Sequence, residues 1–315
     1  MANKKIAFVG SGYMTTEHAK AFASIDGVTL AGIYGRNPVT AKELASKYQM
    51  PAVQNLSELY EKTNADLVVV SVDELSLMGV CESIFKSPWA ILLEKPPGHT
   101  LDIASALNAM ATENGRDCFV ALNRRFMSSA LNARSLLNSS TETRFITVTD
   151  QEDLTQANEL GQPAEIQSNW MYANSIHVID LLRFFGRGKI VDVKNILPWH
   201  ETREASMVAA AIHFDSGDTG LYKAIWNAPG PWSTEIVTAS QRFELRPLET
   251  LQKQVRGKRT LEPIPTHTRD TDFKPGLRLQ AEHAIRMLSG DSSHELPTLE
   301  DALETMRLIR RIYWG

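Results

Sequence analysis

The chain has 315 residues, of which 43% are hydrophobic and 22% charged. At roughly 150 residues per domain that length points to about two domains, and the composition excludes a disordered or fibrous chain. Lys and Arg number 33 against 37 Asp and Glu, a formal charge of -4, so no overall positive field draws in a phosphate backbone and nucleic acid is not an expected partner.

The apolar run Ile6–Gly10 near the start is too short for a signal-peptide core or a membrane span. A soluble cytoplasmic protein with no membrane partner is the expectation. The first third then alternates short apolar runs with stretches of helical period, the βαβ pattern of a doubly wound parallel sheet. Strands are predicted over Lys5–Val9, Val28–Tyr34, Leu67–Val72, Ala90–Glu94 and Cys118–Leu122, with helices near Thr16–Ala23, Val39–Tyr48, Leu56–Lys62 and Leu101–Glu113. The two cysteines, Cys81 and Cys118, sit in apolar stretches and supply neither a disulfide framework nor a metal site.

The first chemical signal is the turn after the first strand. Gly10-Ser11-Gly12-Tyr13-Met14 supplies the first two glycines of a G-x-G-x-x-G pattern that opens a helix, with Thr15 at the third position. Gly10 permits a tight turn, and Gly12 permits close approach of a pyrophosphate to the helix N-terminus. The other explanation is an ordinary strand-to-helix turn. The second strand ends in Tyr34-Gly35-Arg36-Asn37 without the acidic residue that would hold an unphosphorylated ribose. Arg36 therefore points to NADP(H), with NAD(H) possible, unless it is a solvated surface arginine. Ser71 and Val72, just past the third strand, are further cofactor candidates.

A second signal lies at the end of the fourth strand, where Ala90-Ile91-Leu92-Leu93 delivers Glu94-Lys95-Pro96-Pro97 to the edge at which open sheets bind ligands. Lys95 there could polarise a substrate hydroxyl, and Glu94 could hold it by an ion pair.

After Asn123 the texture changes. Strand-like runs rich in Thr, Val and aromatics occur at Thr143–Thr149, Ile190–Leu197, Ser206–His213, Gly220–Trp226 and Ser233–Thr238. The expected architecture is α/β, a Rossmann-type domain over 1–122 followed by an α+β domain over 123–315 with an open, mostly antiparallel sheet. Arg124 and Arg125, just beyond the fifth strand, could reach the substrate or form structural ion pairs. Trp170 and Tyr172 could wall a sugar ring or belong to the core. A helix around Ser175–Phe185 puts Asn174, His177 and Asp180 off its apolar stripe, so that Asp180 could orient the imidazole of His177. The basic run Lys253–Arg259 reads as a charged loop, able to meet a phosphate or simply solvated. A last helix over about 298–313 docks on a core and is a candidate to pack back on the first domain.

Gly10-Ser11-Gly12, Glu94-Lys95-Pro96, Asn123-Arg124-Arg125-Phe126 and the closing Leu296–Ala302 segment, in this order and spacing, resemble the Gfo/Idh/MocA family. The resemblance covers essentially the whole chain. It implies an oxidoreductase that passes a hydride between a nicotinamide and a sugar, cyclitol or nucleotide-sugar, with His177 and Lys95 as the catalytic pair and Asn174 assisting. Two departures stand out: Ala173 where many members carry aspartate, and Ser71–Leu77 where members often show proline, asparagine and histidine. They leave room for a second reading, a dinucleotide- or sugar-sensing protein that has lost efficient chemistry. An exposed sheet face would pair with a copy of itself, so a homodimer or homotetramer is expected.

Overall fold

The computed structural model describes residues 3–202 and 204–315, and the chain divides into two compact units. The first comprises the residues up to Asn123 together with Thr271–Leu303; the second comprises Arg124–Asp270 with Glu304–Gly315. The first boundary falls one residue past the expected one, but the segment 271–303, expected in the second domain, belongs to the first unit.

The first unit is built on five parallel strands in the order β2-β1-β3-β4-β5. In chain order its elements are β1 (Lys4–Val9), α1 (Tyr13–Ala23), β2 (Val28–Tyr34), α2 (Pro38–Lys47), α3 (Ser57–Thr63), β3 (Leu67–Val70), α4 (Leu77–Ile84), β4 (Ala90–Leu93), α5 (Leu101–Glu113) and β5 (Cys118–Val120). Continuous apolar runs form these strands because helices cover both faces of a parallel sheet. Ile6 to Val9 and Leu67 to Val70 are fully buried. Helix α4 is an addition to the expected elements. It buries Leu77, Cys81 and Ile84 at helical spacing, a stripe obscured by Gly79 and by the absence of a charged first turn. Cys81 and Cys118 are buried and free, and burial pushes the Cys81 thiol up to about 12, which suppresses the reactive thiolate.

The second unit opens with α6 (Ser128–Asn138), β6 (Phe145–Glu152), α7 (Leu154–Glu159), α8 (Ala164–Ser168) and a π-helical turn, Met171–Ser175, running into α9 (Ile176–Phe185). It continues with β7 (Ile190–Leu197), β8 (Ser206–Phe214), β9 (Thr219–Trp226), β10 (Ser233–Val237), β11 (Gln241–Leu245), β12 (Leu251–Val255), β13 (Glu262–Ile264) and α10 (Thr268–Thr271). The eight strands form one sheet in the order β13-β12-β11-β10-β6-β9-β8-β7. All its pairs are antiparallel except β6 with β9. Alternation along β9 buries Tyr222, Ala224 and Trp226 and leaves Leu221 outward. The basic run is not a loop throughout, since Lys253–Val255 lies in β12. Two helices complete the molecule, α11 (Leu277–Leu288) and α12 (Leu299–Tyr313). The division between units falls inside α12, after Leu303, so the last helix is shared rather than returned whole to the first unit.

Among the described residues no helix is long and apolar enough to cross a membrane.

Candidate active site

In the first unit the strand order reverses at β1 and β3, and ligands of open α/β sheets bind at such a switch point beyond the carboxyl ends of the strands. A cavity of about 390 Å³ lies there. Gly10, Ser11, Gly12, Arg36, Asn37, Ser71 and Val72, all expected at the cofactor, line it.

The local reasons are specific. Gly10 has φ +107°, and a Cβ on it would stand 2.0 Å from the Ser71 carbonyl oxygen, so only glycine fits. Gly12, which caps α1, has open space where a Cβ would be, the room a pyrophosphate needs beside the unpaired N–H groups of a helix start. The Ser71 hydroxyl is buried with no protein partner, a polar group awaiting a ligand. These features fit a dinucleotide. Tyr13 and Met14 begin α1 but are not lining residues, and the Tyr13 ring is capped by the ammonium of Lys274 at 5.4 Å.

At the far lip, Arg36 is largely exposed and its guanidinium lies 3.4 Å from the Asp73 carboxylate and 3.3 Å from the Ser76 hydroxyl. Asn37 accepts the Val39 N–H at 2.9 Å and caps α2. Asp73 and Ser76 were not singled out from sequence, because an Asp–Ser pair in a loop carries no motif.

The Glu94-Lys95 segment stands at the carboxyl end of β4, both residues half-buried. The Glu94 carboxylate bridges a histidine ring and a main-chain amide. Its Oε1 lies 2.6 Å from His18 Nε2, and its Oε2 accepts the Lys95 backbone N–H at 3.2 Å.

In the second unit the π-helical turn carries Trp170 at its entry, then Asn174 and Ser175, and α9 carries half-buried His177. Asn174 donates to Glu152 Oε2 at 2.9 Å and Ser175 to Glu152 Oε1 at 3.0 Å. Tyr222 donates to Asp150 Oδ2 at 2.6 Å and meets the Tyr313 hydroxyl at 2.9 Å. Burial pushes the Glu152 carboxyl well above the usual carboxylate range, and the charge of Asp150 adds to it. Burial also raises Asp150, against the hydrogen bond from Tyr222. Neither buried acid was found from sequence; the strand alternation of β6 puts both on its inward face, which is the signal that could have found them.

A polar cavity of about 260 Å³ adjoins this network, lined by Gln151, Glu152, Asn174, Trp170 and Trp232 among others. Trp170 is therefore placed as a wall. Tyr172 is not: it is buried and stacks on Trp314 with centroids 6.0 Å apart.

Asp180 is held from two directions. Arg125 binds it in a fork, Nε to Oδ2 at 2.6 Å and Nη2 to Oδ1 at 2.7 Å, and the Thr305 hydroxyl donates to Oδ1 at 2.8 Å. Its carboxylate fixes α9 against neighbouring chain. Arg125 is thereby a structural partner, whereas Arg124 pairs with Glu249 at 3.0 Å, lies over the Trp232 ring and lines a second cavity of about 310 Å³. Among the described residues no group of three or more His, Cys, Asp or Glu is placed to hold a metal ion.

A cavity at the switch point of a five-stranded parallel sheet, with a lysine at the end of the fourth strand, is the arrangement of a Rossmann-type domain. Residues 4–122 match the model of an oxidoreductase family with an NAD-binding Rossmann fold, GFO_IDH_MocA. Over this domain the chain is similar to the Gfo/Idh/MocA oxidoreductases.

An uncharacterized oxidoreductase of Escherichia coli (strain K12) is 30% identical over 139 residues, 43% of this chain and 39% of that protein. The chain thus matches well under two thirds of that relative's length. Among solved structures, a dehydrogenase from Chromobacterium violaceum is similar at TM-score 0.85 and 18% identity, covering 99% of this chain and 94% of that one. UDP-N-acetylglucosamine 3-dehydrogenase from Acidithiobacillus ferrooxidans is similar at TM-score 0.76 and 19% identity, covering 99% and 97%. At such identities these likenesses speak for the fold of both units.

Proposed function

We propose that the protein transfers a hydride between NADP(H) and a hydroxyl or keto carbon of a sugar, cyclitol or nucleotide-sugar. The observation that carries this reading is the switch-point cavity with Gly10 and Gly12 on one wall and Arg36, with no acid at the end of β2, on its lip. Arg36 is suited to a 2′-phosphate by its planar, permanently charged fork. The similarity to UDP-N-acetylglucosamine 3-dehydrogenase supports a sugar-type substrate.

When bound, the nicotinamide supplies hydride acceptance or donation. Gly10, Gly12 and the start of α1 hold the pyrophosphate, and the Ser71 hydroxyl gains a partner. His177 takes the substrate hydroxyl proton on an imidazole nitrogen, and the Lys95 ammonium stabilises the developing oxygen charge. Asn174, its amide held by Glu152, lines the polar cavity where a hydroxylated ring finds donors, acceptors and the indoles of Trp170 and Trp232. Phe145, Met207 and Leu221, exposed on the outer face of the eight-stranded sheet, support self-association as a dimer or tetramer, checked by light scattering.

The test is a fluorescence titration with NADPH and NADH, followed by a panel of sugars, inositols and nucleotide-sugars at the nicotinamide absorbance. Tighter NADPH binding with turnover is the expected result. Tight binding without turnover would instead favour the sensing role that Ala173 suggests, and binding of neither cofactor would overturn both.

A further inference from the structure

One side of α1, the helix that starts at the Gly10–Gly12 turn, is buried. Thr15, His18, Ala19 and Phe22 form that side, and His18 is the one member that carries an ionisable ring into the core, at 1% exposure. A buried imidazole needs a partner, and it meets Glu94 at 2.6 Å, a carboxylate itself only 12% exposed. The separation is that of a charge-assisted hydrogen bond, the shorter and stronger kind. Glu94 spends its other oxygen on the Lys95 backbone N–H at 3.2 Å. The Glu94 amide in turn donates to the Val70 carbonyl at 2.8 Å, which anchors the residue to β3.

One carboxylate therefore ties the helix that begins at the nucleotide turn to the peptide that carries Lys95. We propose that His18 is a positioning residue which, acting through Glu94, holds the Lys95 main chain where its ammonium can serve hydride transfer; this rests on the role given to Lys95 above. A lysine side chain has four rotatable carbons, so its head is only as well placed as the backbone it springs from, and a misplacement of about 1 Å costs on the order of a hundredfold in rate. A merely structural histidine would stabilise α1 without distinguishing between turnover and binding; a positioning histidine affects turnover.

The experiment uses the full chain and three variants. His18→Leu keeps bulk and removes the ring nitrogens, His18→Gln restores an N–H donor on that side chain, and Glu94→Gln removes one acceptor. Expected for His18→Leu and Glu94→Gln is a fall in kcat of about tenfold or more, with the KM for sugar and the Kd for NADPH within about threefold of the parent. His18→Gln should recover most of what His18→Leu loses. Amide hydrogen exchange at Lys95, followed without substrate, should quicken in His18→Leu and return towards the parent rate in His18→Gln. A kcat within about twofold of the parent in both His18→Leu and Glu94→Gln would overturn the proposal, as would His18→Gln as impaired as His18→Leu. If the parent turns over no member of the panel, the oxidoreductase reading fails by itself and the exchange rates alone decide the clamp: no change in His18→Leu overturns it. Should His18→Leu fail to fold, Glu94→Gln carries the same comparison.

Discussion

Gly10 and Gly12 sit two residues apart and have opposite constraints. At Gly10 a methyl group would strike the Ser71 carbonyl, and the backbone is left-handed; at Gly12 it would meet nothing. Gly10→Ala is therefore expected to destabilise the fold by at least about 1–2 kcal/mol from backbone strain alone. Gly12→Ala should leave the melting temperature nearly unchanged while weakening NADPH binding by about tenfold, because it fills the space the pyrophosphate needs. Equal NADPH affinity in Gly12→Ala and the parent, read by fluorescence, would remove the pyrophosphate from that spot. Asp218 gives a second residue-scale test. It is buried and takes the Arg187 guanidinium through Nε at 2.9 Å and Nη2 at 2.7 Å, together with the backbone N–H of Arg144 at 2.9 Å and of Arg187 at 3.0 Å. Burial alone would raise its carboxyl, but these donors outweigh it and hold the group below its ordinary value. A lowered folded value stabilises above the unfolded one, roughly pH 4, and the contribution is lost as pH falls through the folded value. Asp218→Ala should cost about 3 kcal/mol at neutral pH, since it strands a partly buried guanidinium. The gap in stability from the parent should narrow in acid, which urea melts at several pH values would show.

At the scale of elements, β6 is unusual in carrying Asp150 and Glu152 on its inward face. Because both are raised by burial, the folded chain keeps a proton above the ordinary carboxylate value of about 4.3 that the unfolded chain releases, so stability falls as pH rises from there towards the folded value. Glu152→Gln removes the Glu152 share of that titration. Its stability relative to the parent should rise as pH climbs above the ordinary carboxylate value of about 4.3, and a stability difference that stays constant with pH would contradict the raised Glu152 carboxyl. The same strand shows what the sequence conveyed and what it concealed. The parallel core of β1, β3 and β4 was readable because runs such as Leu67-Val68-Val69-Val70 admit no other placement. β11 was not, since Gln241-Arg242-Phe243-Glu244-Leu245 offers two apolar residues in five. Helix α11 had a signal in Leu277, Ala281, Ala284 and Ile285, all buried, but it lies beyond a polar stretch and lacks an N-cap side chain to announce it. The site was legible where it depends on local spacing, as at Gly10–Gly12. It was hidden where partners meet across the chain: Arg125 is 55 residues from Asp180, and Thr305 is 125 residues away.

For the whole molecule, the consequential fact is that neither unit is one continuous stretch. Helix α11 packs on α1 within the first unit. Val120 donates to the Pro297 carbonyl at 2.9 Å, so β5 also draws on the late segment. A fragment of residues 1–123 would expose the face of α1 that α11 covers and leave that edge unpaired. It is expected to lack a cooperative thermal transition and to bind no NADPH, whereas 1–123 joined by a short linker to 271–303 should recover both. A 1–123 fragment that melts cooperatively at the temperature of the intact chain would contradict this.

The chain passes between the two units three times, after Asn123, Asp270 and Leu303. In genetic terms, a single crossover at codon 123 cannot exchange one cofactor domain for another, because the incoming segment arrives without the helix that completes it. Successful recombinants must carry paired breakpoints, and variation in cofactor use should instead accumulate by point changes around positions such as Arg36 and Asp73.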